Sequence, residues 1–455
     1  MFYKQKNGYD IIEKDEAILV EEYSKDYISF LNEAKTEREA VAVSIELAQK
    51  AGFKAYETGM KLKAGDKVYV SNRGKALMLA VIGNKPLSQG CVIAAAHVDS
   101  PRLDLKPLPI YEDSELCYFK THYYGGIKKY QWLTIPLELR GVVALKDGSV
   151  VNVCIGKDKN DPIFQITDLL PHLGKEQRKK TSAEFVPGES LNLLIGSVPD
   201  SEDVEGRTKL AILDLLNQKY GINEEDFLSA ELSAVPAHVA REMGIDRSFI
   251  AGYGHDDRVC AYAELRAIFE LDTPDKTAVC LLADKEEIGS EGVTGMKSHS
   301  FENFMGDLCD GQGVKLSHCF ANSICISADV SNAFDPNYPE VSEKRNAAKI
   351  NYGMSICKFT GHGGKSGSND ASAEVVSHLR RVFYENNVVW QMAELGKVDE
   401  GGGGTVAAYM AQRDIDTIDA GVPVLSMHSP YETVAKFDCY MTYKGIKAMY
   451  EEKYA

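Results

Sequence analysis

The sequence predicts an α/β protein, a sandwich with helices on both faces of its sheet, interrupted by an inserted β-rich domain. Three observations carry this. From residue 250 onward, short apolar runs alternate regularly with stretches of helical period. The first hundred residues hold two helical stretches and then three strand-like runs. Between these parts, residues 105 to about 235 are rich in β-type and turn-type sequence. Alternation of strand and helix marks a sheet covered on both faces. A chain of 455 residues also exceeds what one hydrophobic core usually serves, so two domains are expected. The expected boundaries are 1–104 and 239–455 for the two parts of the α/β domain, and 105–238 for the insertion.

Between residues 15 and 51 apolar positions recur at spacings of three and four (Leu19, Tyr23, Tyr27, Phe30 and Leu31, then Ala40, Val43 and Leu47), which predicts two amphipathic helices joined near Lys35. Strand-like runs follow at 67–71, 76–82 and 91–96. Within the insertion, 133–145, 150–155 and 191–198 read as β-rich and 209–220 as a helix. The last part reads as helix 257–271, strand 277–283, helix 299–311 and strand 322–328. An irregular segment with two prolines, 331–339, comes next. Strand 353–359, helix 371–385, strand 422–427 and helix 438–451 close the chain. The run Gly401 to Gly404 is a low-complexity patch suited to close backbone approach to a ligand.

Composition excludes several classes. A hydrophobic content of 44% and a charged content of 26% are those of a soluble globular protein. A net charge of -16, with no long Lys/Arg run, argues against nucleic acid as a partner. The amino terminus lacks the apolar core of a signal peptide and no window approaches a membrane span, so a cytoplasmic location without a membrane partner is expected. Ten cysteines without a C-x-x-C pair fit free thiols in a reducing compartment.

The chemistry gathers where strands end. The run 277–283 leads into Glu286 and Glu287 in ADKEEIGS. Ligands of open α/β sheets bind at the carboxyl ends of strands. Adjacent carboxylates there can divide the work, one holding a metal and the other moving a proton. Similar positions carry His97 in AAAHVDSPRLD, Asp256 in YGHDDRVCAY, Asp329 in ISADVSNAFDPNY and His428 in VLSMHSPYE. Imidazole and carboxylate without thiolate suit zinc, cobalt or manganese in a hydrolytic site. Two histidines with three carboxylates fit two ions that share one carboxylate. Asp99, two residues past His97 on the same side of an extended chain, is placed to orient that imidazole. Singly these signals are weak, since an Asp before a helix is usually an N-cap. Their joint occurrence gives them weight.

In this order and over nearly the whole chain, AAHVDSPRLDLKP, GHDDRVCA, DKEEIGSEG, ADVSNAFDPNYPE and SMHSPYE resemble the successive motifs of the M18 metalloaminopeptidases, the family of aspartyl and vacuolar aminopeptidases. The resemblance implies a mixed-sheet α/β/α zinc-peptidase catalytic domain, split by a β-rich domain that serves oligomerisation. It implies hydrolysis of the first residue from peptides with a free amino terminus, by two divalent metal ions, with zinc first and cobalt or manganese as alternatives. Asp256 would bridge both ions. His97 and Asp329 would complete one, Glu287 and His428 the other. Glu286 would be the general base toward a metal-bound water, and Asp99 the partner of His97. A large homo-oligomer, a dodecamer in many members, is expected.

The chain departs from the family pattern near the substrate. Asn332 and Asp335 stand where many aspartyl aminopeptidases carry histidines, and Asp168, with His172 nearby, stands where a family histidine reaches a neighbouring subunit. Acidic and neutral or apolar first residues are therefore both open. Lys365 and Arg345 are the cations available to pair an acidic side chain. Two other classes compete. A catalytically silent scaffold would bind metal without turnover. A nucleotide-binding enzyme is suggested by Thr360-Gly-His-Gly-Gly-Lys-Ser366, but the first glycine of a phosphate loop is replaced by Phe359.

Overall fold

The computed structural model describes residues 2–202 and 204–454. They form two compact units. The first comprises Met1–Asp99, Ala240–Met427 and Glu432–Ala455; the second comprises Ser100–Val239 with the short turn His428–Tyr431.

The first unit is built on a mixed nine-stranded sheet. Its order is Lys54–Ala55, Lys67–Asn72, Ala76–Val81, Thr277–Ala283, Cys91–His97, Ile324–Ser327, Asp416–Gly421, Met354–Cys357 and Trp390–Ala393. Thr277–Ala283, Cys91–His97, Ile324–Ser327 and Asp416–Gly421 pair in parallel. Strands buried on both faces read as continuous apolar runs, and Ala76–Val81, Cys91–His97 and Thr277–Ala283 are buried throughout.

The two-residue period of a strand divides these side chains between two cores. Val92, Ala94, Ala96, Ala278, Cys280 and Leu282 face a core shared with the helices Lys14–Glu33, Glu37–Lys50, His255–Phe269 and Lys436–Tyr450. Cys91, Ile93, Ala95, Val279 and Leu281 face another, shared with Ser300–Asp310 and Leu316–Phe320. The α/β sandwich expected from the alternation is the one observed. The helix Glu37–Lys50 starts at a reciprocal capping box of Thr36 and Glu39, which satisfies two otherwise orphaned N–H groups. A five-stranded sheet, ordered Arg241–Met243, Phe249–Gly252, Glu432–Ala435, Pro423–Leu425 and Ser331–Asn332, completes this unit.

The second unit holds a six-stranded antiparallel sheet in the order Val150–Ile155, Leu137–Ala144, Ala230–Pro236, Arg102–Asp113, Leu116–Tyr124 and Leu193–Gly196. The helix Arg207–Tyr220 contacts Arg102–Asp113, Leu116–Tyr124 and Leu193–Gly196.

Two local expectations change and one strand was not foreseen. Residues 422–427 are not one strand: Asp416–Gly421 belongs to the large sheet and Pro423–Leu425 to the small one. The first was hidden because Asp416 and Asp419 interrupt its apolar pattern. The strand Trp390–Ala393 lies at the sheet's edge and is too short to stand out. The glycine-rich segment after Met354–Cys357 does not run into a helix, which starts only at Ala373. Instead His362 and Ser366 pair across a tight loop, and Lys365 lies over the Phe359 ring and pairs with Asp370. That lysine is engaged as a phosphate-binding lysine would not be.

Lys436 ties three elements of the first unit together. Its buried Nζ contacts Glu21 at 2.6 Å and Glu242 at 2.7 Å, joining Lys14–Glu33, Arg241–Met243 and Lys436–Tyr450. Both carboxylates are partly exposed, so removing the lysine forfeits charge-assisted hydrogen bonds without stranding a fully buried charge. Lys436→Ala is expected to lower stability by about 1.5–3 kcal/mol, read as a lower midpoint in chemical denaturation.

Candidate active site and metal centre

His97 is the last residue of its strand, and its backbone N–H donates to Asp257 Oδ2 at 3.3 Å. Its Nδ1 lies 3.0 Å from the Asp99 carbonyl oxygen. A carbonyl only accepts, so Nδ1 carries the hydrogen and Nε2 is left with its lone pair. That lone pair faces Asp256 Oδ1 at 3.2 Å, Glu286 Oε2 at 3.9 Å and Asp329 Oδ1 at 4.0 Å.

Glu286 and Glu287 occupy a short 3-10 turn just beyond Thr277–Ala283. The parallel register sets Ala283 beside His97, so this turn emerges next to the imidazole. Lys285 takes a left-handed conformation (φ 67°) to start it, and Ser290 N–H closes back onto the Lys285 carbonyl at 2.7 Å. Asp99 fixes the turn. Its Oδ1 accepts from the Glu286 N–H at 3.1 Å and its Oδ2 from the Glu287 N–H at 3.2 Å, while Oδ1 also lies 3.3 Å from His97 Nδ1. One carboxylate thus orients an imidazole and the backbone of both glutamates.

Asp256 sits in the first turn of His255–Phe269, where the backbone departs from helical angles and the Asp256–Asp257 peptide is cis. Its N–H donates to Glu432 Oε2 at 3.1 Å. Asp329 follows Ile324–Ser327 by two residues. Gly421 packs so tightly on its carbonyl that a side chain at 421 would collide with it. His428 lies on the turn between Pro423–Leu425 and Glu432–Ala435, two paired strands of the first unit. Its Nδ1 donates to the Gly126 carbonyl at 2.8 Å, which leaves Nε2 with its lone pair.

The ligand atoms of His97, Asp256 and Asp329 lie within 4.8 Å of one another, and so do those of Asp256, Glu287 and His428. Asp256 belongs to both groups and Glu286 to neither. Burial and then the charge of Asp329 push Asp257 well above the usual carboxylate range. Burial and the charge of Asp256 do the same to Asp329, against the pull of His97. Carboxylates crowded out of water at this density demand positive charge. The oxygen and imidazole donors, with no sulfur in either group, fit a divalent ion of the zinc type.

A model of the aminopeptidase I zinc metalloproteases (M18) matches residues 30–450. The chain belongs to the M18 family. A probable M18 family aminopeptidase 1 of Clostridium acetobutylicum is 49% identical over 453 residues, covering 97% of each sequence. The crystal structure of an M18 aminopeptidase from Thermotoga maritima superposes with a TM-score of 0.96 at 43% identity, covering 99% of this chain and 100% of that one. The S. cerevisiae mApe1 dodecamer shares the fold at 22% identity, with a TM-score of 0.77 over 95% of this chain and 96% of that one. The protein is a zinc metalloprotease of the aminopeptidase class, a hydrolase acting on peptides.

Two residues that hold the backbone of the candidate site were not singled out from the sequence. Asp257 accepts from the His97 N–H and Glu432 from the Asp256 N–H, and their signals were the second aspartate of GHDD and the glutamate closing HSPYE. Of the positions that depart from the family pattern, Asn332 lies in the two-residue strand Ser331–Asn332, and Asp335 Oδ1 accepts from the Asn337 N–H at 2.8 Å. Asp168 is exposed and accepts from the Leu169 N–H at 2.8 Å and from Gln177 Nε2 at 3.3 Å. His172 and Arg345 are exposed, and Lys365 is engaged by Asp370.

Asp99→Ala removes three polar contacts at once. It is expected to lower metal affinity or turnover by about 10- to 100-fold, as loss of a ligand-orienting group does. Metal titration and steady-state rates measure this, and an alanine variant equal to wild type in both would remove the orienting role.

Proposed function

We propose that this M18 protein removes the first residue from peptides at a dinuclear metal centre, with His97 and Asp329 on one ion, Glu287 and His428 on the other, and Asp256 shared. The observation that carries this reading is the membership of Asp256 in both ligand groups while Glu286, close by, belongs to neither. When bound, two divalent ions, zinc first, polarise the scissile carbonyl and lower the pKa of water. The chain's own groups do the rest. His97 and His428 present Nε2 because their Nδ1 hydrogens are committed to carbonyls. Glu286, its backbone held by Asp99, takes a proton from the attacking water and delivers it to the leaving amine.

The yeast relative is a dodecamer, and a large homo-oligomer belongs to this proposal, with light scattering as its test. Ten free cysteines support a reducing, cytoplasmic setting. No helix among the described residues is long and apolar enough to cross a membrane.

Glu286→Gln is expected to keep its metal and lose turnover by several orders of magnitude, because an amide cannot accept the proton. Asp256→Asn is expected to lose bound metal. Metal analysis with rates on peptides beginning with Asp, Glu, Leu, Met, Lys or Arg, with zinc, cobalt, manganese or chelator, tests both. The panel also separates the acidic from the neutral or apolar first-residue class. Appreciable activity of Glu286→Gln would remove it as base. Metal binding without release of any first residue would favour a silent scaffold.

A further inference from the structure

Asp419 is a buried carboxylate in the middle of a sheet strand, Asp416–Gly421, where an apolar β-branched residue would pack better. It stands directly beside Ser327 in the parallel register. Its Oδ1 accepts from Ser327 Oγ at 2.8 Å and from Thr405 Oγ1 at 2.6 Å. Its Oδ2 is buried and has no hydrogen-bond partner among the described residues. A buried polar group left half satisfied calls for an explanation beyond packing.

The two hydroxyls lead to different places. Ser327 ends its strand two residues before Asp329, and the intervening Ala328 N–H is pinned to the Ala95 carbonyl at 2.8 Å. Gly421, two residues beyond Asp419, abuts the Asp329 carbonyl. Thr405 instead closes the run Gly401 to Gly404 and accepts from the Ala407 N–H at 3.3 Å at the start of a short helix. The run carries no candidate ligand, and its Gly402 packs against the Gly361 backbone.

We propose that Asp419 is a positioning residue of the metal centre, one carboxylate oxygen that sets the Asp329 turn through Ser327 and anchors the glycine run through Thr405. This rests on the reading of Asp329 as a ligand. The function needs an acceptor, so an asparagine that keeps Oδ1 retains it. The two limbs are separable: the Ser327 limb governs metal affinity, and the Thr405 limb does not.

The test is titration of the metal-free full-length protein with zinc against a competing chelator. Ser327→Ala and Asp419→Ala are expected to weaken zinc binding by about tenfold or more, the usual effect of losing a group that orients a ligand. Thr405→Ala is expected to stay within about twofold of wild type and Asp419→Asn within about threefold, margins far below the tenfold loss. Ser327→Ala keeps the carboxylate, so the test stands even where Asp419→Ala does not fold. Wild-type affinity in Ser327→Ala, or an equal loss in Thr405→Ala, overturns the proposal, as does a loss in Asp419→Asn as large as in Asp419→Ala. Asp329→Asn, measured alongside, separates the two failures. If it loses zinc while Ser327→Ala does not, only the positioning role falls; if neither loses zinc, the ligand role of Asp329 falls with it.

Discussion

The parallel pairing of Cys91–His97 with its two neighbours is the constraint on which the rest of the first unit depends. Parallel strands point their carboxyl ends the same way, so groups just past 97, 283 and 327 emerge along one edge of the sheet. Burial on both faces fixes the register, because a one-residue slip would exchange the two cores that Val92, Ala94 and Ala96 and Cys91, Ile93 and Ala95 serve. A site made of short turns gains its precision from strands that cannot slide.

Around that edge the structure uses polar groups to hold the candidate ligands rather than to supply more of them. Asp99 holds His97 and the Glu286–Glu287 turn, Asp257 holds the His97 backbone, and Glu432 holds that of Asp256. Each buried carboxylate would be a liability in isolation. Hydrogen-bonded to a main-chain N–H or facing an imidazole, it becomes part of a preorganised frame.

Much of this was legible in the sequence. Buried strands with unbroken apolar runs and helices with a clear period stand out because burial dictates their composition, as Thr277–Ala283 and Lys14–Glu33 show. The residues His97, Asp256, Glu286, Glu287, Asp329 and His428 were visible because ionisable groups at strand ends are conspicuous beside apolar runs. The strand Asp416–Gly421 was not, since a buried aspartate in its middle breaks the pattern that marks a strand. Nor was the departure from helical angles at Asp256 and Asp257, where the apparent start of a helix conceals a reshaped turn. Both misses fall where polar groups are buried to serve the site, against the local rules for a strand or a helix.

Gly421 carries a consequence of its own. Because the Asp329 main chain rests directly on that α-carbon, the absence of a side chain at 421 specifies the path of the Asp329 turn as much as any hydrogen bond does. A change of one methyl group there forces the Asp329 main chain to shift, so a damaging variant can look conservative on paper while every candidate donor remains intact.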